Sequence, residues 1–121
     1  MKSYHHALII DDDPDLCLLL KAMLATRISN IQFAHSIENC RELLKTVRPD
    51  IVFMDNNLPD GKGVLFISEV KTTLPGVWVI IISAMGEYRK DAYANGAHVF
   101  IEKPLTESNL IKAFEALEEM N

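Results

Sequence analysis

Five short, mostly apolar runs constrain the fold of this chain more than any other feature. Each is four to six residues long and stops abruptly at polar residues; they cover residues 7–10, 31–34, 51–54, 77–82 and 98–101. Runs of this length fit strands that are buried on both faces, as in the centre of a parallel sheet. The segments between them repeat apolar residues at helical spacing, as in Leu16, Leu19, Leu20, Met23 and Leu24.

Alternation of strands and helices predicts an α/β fold, in which a parallel sheet carries helices on both faces through right-handed crossovers. We expect residues 1–121 to form a single domain, because this length supports one hydrophobic core. Asp13, Ser36 and Thr106 are expected helix N-caps, and the first, second and third helices should reach about residues 26, 47 and 73.

Composition excludes several classes of protein. The chain is 49% hydrophobic and 24% charged, which is typical of a globular domain, and it has no apolar run near the roughly 18 residues of a membrane span. No signal peptide precedes the first strand, so we expect a cytoplasmic protein with Cys17 and Cys40 as reduced core thiols. The net charge of -5 argues against direct nucleic-acid binding.

The residues at the ends of these runs form an informative set. Asp11 and Asp12 end the first run, Asp55 the third and Ser83 the fourth, and Lys103 follows the fifth. In an open parallel sheet the carboxyl ends of the strands meet at one edge, where ligands bind. We therefore expect three carboxylates, a hydroxyl and an ammonium to converge there.

Three carboxylates in one pocket repel each other unless a cation relieves the charge. Mg²⁺ suits a site of about two carboxylates with waters, and Lys103 can neutralise part of the remaining charge. The other loop aspartates, Asp13 and Asp60, are interpreted as turn formers or helix caps, and Trp78 as a packing residue.

In this order and at these intervals, the motifs resemble those of a response-regulator receiver domain of two-component signalling, over nearly the whole chain. A receiver's first strand ends in an acidic pair, and its third ends in a phosphoacceptor aspartate before a loop with proline and glycine. Its fourth strand ends in Ser or Thr before a small residue, and its fifth carries an aromatic switch residue and then Lys-Pro. The matching residues are Asp11-Asp12, Asp55 with Pro59 and Gly63, Ser83-Ala84, and Phe100 with Lys103-Pro104.

The resemblance implies a flavodoxin-like (βα)5 fold of three layers, with strand order 2-1-3-4-5. It implies that Asp55 takes a phosphoryl group from a phosphohistidine on a sensor histidine kinase or a histidine phosphotransfer protein. Mg²⁺ would be held by the side chains of Asp12 and Asp55, by Asp11 either directly or through water, and by the backbone carbonyl of Asn57. Such a domain phosphorylates itself from a donor and dephosphorylates itself, and has no other enzymatic activity.

The resemblance also implies a switch. Ser83 and Lys103 would contact the phosphoryl group, and Phe100 would enter the space that Ser83 leaves. The readout surface would be the fourth helix, fifth strand and fifth helix, which binds an effector or forms a dimer, with no role for a membrane. Departures from the commoner pattern are Asn56, in place of an apolar residue, and Lys62, in place of an acid. Asn56 and Asn57 are candidates for tuning hydrolysis of the phosphoryl group.

Two alternatives are open. A haloacid-dehalogenase-like phosphatase also uses an aspartyl nucleophile after a strand, but it needs a second aspartate two residues later, where this chain has Asn57. The other alternative is a receiver-like interaction module that works without phosphorylation. Mg²⁺ titration followed by Trp78 fluorescence would separate that module from a receiver, provided that Trp78 senses the site.

Overall fold

The computed structural model describes residues 2–120 and contains all five expected strands. They are β1 (His6–Ile10), β2 (Asn30–Ala34), β3 (Ile51–Asp55), β4 (Trp78–Ser83) and β5 (Val99–Glu102). The strands form one parallel sheet in the order β2-β1-β3-β4-β5. This topology confirms the α/β class and the flavodoxin-like strand order.

Within residues 2–120, five α-helices connect and follow the strands. They are α1 (Pro14–Leu24), α2 (Ile37–Leu43), α3 (Ile67–Thr73), α4 (Arg89–Ala94) and α5 (Glu107–Glu118). Single 3-10 turns, Gly63–Leu65 and Gly86–Tyr88, precede α3 and α4, where the sequence pattern predicts continuous helix. The α1 and α2 helices end earlier than the expected residues 26 and 47, because turns replace their last helical residues.

The sheet separates two hydrophobic cores, and alternate residues of its central strands serve each one. Met54 and Ile81 belong to the core on the side of α2, α3 and α4, whereas Phe53 and Ile80 belong to the core on the side of α1 and α5. Every residue of β3 is buried. The side-chain period of two therefore fixes which residues of β3 and β4 share a face.

The expected N-caps are confirmed. The Asp13 carboxylate accepts hydrogen bonds from the backbone N–H groups of Asp15 and Leu16, and Ser36 Oγ accepts one from Asn39. Thr106 and Asn109 form a reciprocal capping box at the start of α5. Each of these bonds satisfies an N–H group that has no partner inside its helix.

A short antiparallel ladder follows β3, which the sequence pattern does not indicate. Residues 57–58 pair with residues 61–62, and the tip of this loop carries Asp60. The carboxylate of Asp60 accepts from the N–H groups of Ile37 and Glu38, at 2.9 and 3.0 Å. Asp60 is thus a helix cap, as expected, but it caps α2 from a distant loop and so anchors the loop after Asp55.

Two further expectations concern cysteines and membranes. Cys17 and Cys40 are free and buried, and burial raises their pKa values to about 11 and about 12. They are therefore poor nucleophiles at neutral pH. Within residues 2–120, no helix combines the length and the apolar character needed to cross a membrane.

Candidate phosphoacceptor site

Three carboxylates meet at the carboxyl edge of the sheet. Asp11 and Asp12 follow β1, and Asp55 ends the adjacent strand β3, because Ile10 and Met54 pair in register. Each of the three can offer one oxygen such that all three oxygens lie within 4.8 Å of one another. The arrangement predicted from the ends of the runs is therefore present.

Burial dominates the electrostatics of this cluster. Asp11 is 3% exposed, and desolvation raises its pKa to about 6, although the Asp13 N–H group, 2.8 Å from its Oδ1, favours the charged form. Desolvation also raises the pKa of Asp55, while Lys103 lowers it. Two buried carboxyl groups with raised pKa values beside exposed Asp12 form a hard oxygen donor set, which suits a divalent cation.

Lys103 offsets part of the negative charge of the cluster. Its Nζ lies 3.4 Å from Asp55 Oδ1. The backbone holds the lysine in place, since its N–H group donates to the Ser83 carbonyl at 2.8 Å. Lys103, Ser83 and Asp55 thus meet at the ends of three consecutive strands of the sheet.

Ser83 is the buried hydroxyl of the site, at 3% exposure. Its Oγ accepts a hydrogen bond from the Met85 N–H group at 3.0 Å. This bond ties the side chain to its own loop, between β4 and α4. Moving the hydroxyl toward Asp55 requires this bond to be replaced.

Gly63 brings the loop after β3 close to the backbone of Asp55. A Cβ atom at this position would lie 2.6 Å from the carbonyl oxygen of Asp55, a distance that real Cβ atoms essentially never show. The Gly63 N–H group donates to the Asn56 carbonyl at 2.8 Å. Glycine is required here by lack of space, and it fixes the path of the chain beside Asp55.

Asn56 and Asn57 have different surroundings. The Asn56 side chain is buried at 1% exposure, and its Oδ1 accepts from the Val64 N–H group at 3.0 Å. Asn57 is exposed, and its Oδ1 accepts from Lys62 Nζ at 3.0 Å. Asn57 therefore faces solvent beside Asp55, whereas the buried Asn56 is part of the interior.

Phe100 is buried at 4% exposure, and α4 holds it in a way that sequence reasoning missed. The Arg89 guanidinium carbon lies 4.8 Å from the centre of its ring, and Arg89 Nη1 donates to the Phe100 carbonyl at 3.4 Å. The Phe100 N–H group donates to the Tyr93 hydroxyl at 3.0 Å. Arg89 and Tyr93 of α4 thus provide hydrogen-bond partners for the backbone C=O and N–H groups of Phe100, which lies on the edge strand β5.

Trp78 is a packing residue, as expected, and it lies far from the site. It begins β4, whereas Ser83 ends that strand, and five residues of strand span about 17 Å. Its ring lies 4.6 Å from that of His98, centre to centre. Its fluorescence is therefore a poor reporter of ion binding at Asp55, so that Mg²⁺ binding calls for a different readout.

Comparison with known proteins agrees with this geometry. The family model described as the response regulator receiver domain matches residues 7–115. The chain is 32% identical to the chemotaxis protein CheY of Thermotoga maritima over 111 residues, covering 88% of this chain and 91% of CheY. It is also 32% identical to the response regulator PilR of Pseudomonas aeruginosa over 105 residues, which are 85% of this chain and 24% of PilR.

The solved structures give the same result for the fold. A two-component response regulator from Clostridium difficile superposes with a TM-score of 0.84 at 25% identity, over 97% of this chain and 98% of that one. The chain spans nearly all of CheY but about a quarter of PilR, so its relatives include both short proteins and larger regulators. The family match, the curated relatives and the convergent carboxylates lead to one conclusion: this chain belongs to the response regulator receiver domain family.

Proposed function

We propose that residues 1–121 form a single phosphoacceptor receiver domain of a two-component or phosphorelay system, with Asp55 as the phosphorylated residue. The observation that carries the proposal is the position of Asp55. It is a buried carboxylate at the end of the central strand, 3.4 Å from the Lys103 ammonium and grouped with Asp11 and Asp12. A turn or capping aspartate has no need of such surroundings.

The reaction is phosphoryl transfer to a carboxylate. An Asp55 oxygen attacks the phosphorus of a phosphohistidine, the P–N bond breaks, and the histidine leaves with the electron pair of that bond and takes up a proton. The product on this chain is an acyl phosphate. Lys103 offsets charge on the phosphoryl oxygens, because this chemistry depends mainly on positioning and electrostatic stabilisation.

The donor set fits Mg²⁺, the ion that receivers bind at their aspartate cluster. Asp11, Asp12 and Asp55 would hold it through their side chains, and Asn57 through its backbone carbonyl. The bound ion supplies positive charge beside the transferring oxygens. Asp11 then serves as an ionised ligand although its pKa is raised to about 6 when only protein groups surround it.

The switch follows from the surroundings of Ser83 and Phe100. In the phosphorylated state Ser83 donates a hydrogen bond to a phosphoryl oxygen and gives up its bond from Met85. Phe100 then moves into the vacated space and withdraws its ring from Arg89. Because Arg89 and Tyr93 both belong to α4 and both bind the backbone of Phe100, this movement alters the surface formed by α4, β5 and α5.

The proposal assigns the partners by chemistry. A sensor histidine kinase or a histidine phosphotransfer protein supplies the phosphoryl group in the cytoplasm, and a downstream effector or a second copy of the chain reads the surface of α4, β5 and α5. The domain itself binds neither nucleic acid nor membrane. It turns over no separate substrate, and Asn57 stands where a phosphatase of the haloacid-dehalogenase type needs its acid.

The experiment is phosphoryl uptake from acetyl phosphate, followed by intact mass spectrometry. Wild type should gain one phosphoryl group with Mg²⁺ present and little after chelation. Asp55→Asn should gain none, while Asp13→Asn, which removes the α1 cap carboxylate, serves as the matched control and should gain one. Full uptake by Asp55→Asn would contradict the assignment, and absence of uptake by wild type would favour an interaction module.

A further inference from the structure

Asn56 has an unusual hydrogen-bonding pattern for a buried residue. Its backbone N–H group donates to the Ile82 carbonyl at 3.1 Å, its carbonyl accepts from Gly63, and its Oδ1 accepts from Val64. Its Nδ2, however, is buried and has no hydrogen-bond partner. Buried donors without a partner are rare and destabilising, so this one calls for a function.

Sheet register places Asn56 beside Ser83. Asp55 pairs with Ile82, and the next residues along the two parallel strands are Asn56 and Ser83, with the strands about 4.8 Å apart. Met54 and Ile81, two residues earlier, both belong to the core on the side of α3 and α4. The period of two therefore directs the side chains of Asn56 and Ser83 toward that same side.

In this structure the Asn56 Nδ2 group does not donate to the Ser83 hydroxyl. A hydroxyl offers one hydrogen and two lone pairs. In this structure the Met85 N–H group occupies one lone pair. Once the hydroxyl turns to donate to a phosphoryl oxygen and leaves Met85, both of its lone pairs are free to accept, and the unpartnered Nδ2 of Asn56 is the buried amide nearest in register.

We propose that Asn56 is a positioning residue for the switch: its Nδ2 donates to Ser83 Oγ in the phosphorylated state. This inference rests on the proposed function and deepens it. An interaction made in only one of two states shifts the equilibrium toward that state. Asn56 therefore favours the phosphorylated arrangement, because its donor is satisfied there and unsatisfied in the resting one.

A double-mutant cycle tests whether Asn56 and Ser83 are energetically coupled in the phosphorylated state. The probe is a beryllium fluoride complex with Mg²⁺, which mimics a phosphoryl group on a carboxylate, and isothermal titration calorimetry measures its affinity. Asn56→Leu should weaken binding about fivefold, the value of one hydrogen bond. In a Ser83→Ala background the same substitution should change the affinity by less than about twofold.

The cycle removes effects that do not involve Ser83, such as the loss of the acceptor for the Val64 N–H group. Asn56→Ser, whose side chain is too short to reach Ser83, is the second variant should Asn56→Leu fail to fold, and it should give the same coupling. Equal weakening in both backgrounds, or none in either, would overturn the inference alone. Failure of wild type to bind the probe would instead contradict the proposed function, and the inference with it.

Discussion

Lys103 Nζ lies 3.4 Å from Asp55 Oδ1, although the two residues are located at the ends of strands that are not neighbours. Asp55 ends β3 and Lys103 follows β5, so the lysine reaches across the end of β4 to make this contact. The Asp55 side chain is 7% exposed and that of Lys103 29%, so water screens the pair only in part. The Lys103 ammonium therefore already lies where it could pair with a phosphoryl group on Asp55.

Lys103→Ala removes this cation and leaves Asp55 buried. We expect the rate of phosphoryl uptake from acetyl phosphate to fall about a hundredfold, which is the usual effect of removing one electrostatic contact in a transfer reaction. Lys112→Ala, at an exposed lysine of α5, should leave the rate within about twofold of wild type. Rates of mass change measure both, and a Lys103→Ala rate equal to that of wild type would show that the ammonium plays no part in transfer.

Gly63→Ala should damage both stability and the site. Its new methyl group would lie 2.6 Å from the Asp55 carbonyl oxygen, which forces the backbone to shift. We expect a loss of about 1–3 kcal/mol in the free energy of unfolding by urea, together with slower phosphoryl uptake. Gly76→Ala is a suitable comparison, because its methyl group meets nothing within 4 Å and its cost is backbone strain at φ +89°. That variant should lose stability while retaining the wild-type uptake rate.

The contact between Lys62 and Asn57 makes a prediction about the lifetime of the phosphoryl group. Asn57 is exposed next to Asp55, and Lys62 holds its Oδ1 at 3.0 Å. Asn57→Ala removes an amide that can bind attacking water, so we expect a severalfold longer lifetime after the donor is removed. Lys62→Ala frees the amide and should change the lifetime only when Asn57 is present. An unchanged lifetime in Asn57→Ala would exclude this role for the amide.

His98 predicts a dependence of stability on pH. Its Nδ1 accepts from the Val79 N–H group at 3.0 Å, which requires a neutral ring, and burial lowers its pKa from the ordinary 6.5, helped by Lys71. Above pH 6.5 the ring is neutral in both the folded and the unfolded chain, so its contribution is complete. As the pH falls below 6.5, the unfolded chain takes up the proton first, and the free energy of unfolding decreases through the lowered pKa.

Urea unfolding at a series of pH values, followed by circular dichroism, tests this sign. His98→Gln keeps an acceptor for Val79 but cannot titrate, so its stability should fall less than that of wild type between neutral pH and the lowered pKa. His5→Gln, at an exposed histidine, is the matched control and should retain the wild-type dependence. If the free energies of unfolding of wild type and His98→Gln changed with pH in parallel, titration of His98 would not be the cause of the pH dependence.

Sequence reasoning predicts the parts of this structure that depend on local pattern. The abrupt end of each apolar run locates Asp11, Asp55 and Ser83 at one edge of the sheet, since parallel strands leave no other arrangement. Asp13 is recognisable as a cap because it stands directly before a proline and a helical repeat. These features can be predicted from residues that are neighbours in the sequence and from the rule that alternating strands and helices form a parallel sheet.

Sequence reasoning misses the features that depend on contacts between residues far apart in the chain. Asp60 caps α2 from a loop more than twenty residues away, and Arg89 covers Phe100 only because α4 packs beside β5. Neither contact leaves a periodic pattern in the sequence. The burial of Asn56 is a similar case: an asparagine after a strand predicts a turn, whereas tertiary packing places its amide in the interior.

The location of the acyl phosphate tests the central claim most directly. Borohydride reduces an aspartyl phosphate to homoserine, and tandem mass spectrometry of the digested protein then identifies the modified residue. After treatment with acetyl phosphate and Mg²⁺, we predict homoserine at position 55 and unmodified aspartate at positions 11 and 12. Homoserine at position 11 or 12, or an intact Asp55 in protein that carries a phosphoryl group, would contradict the account.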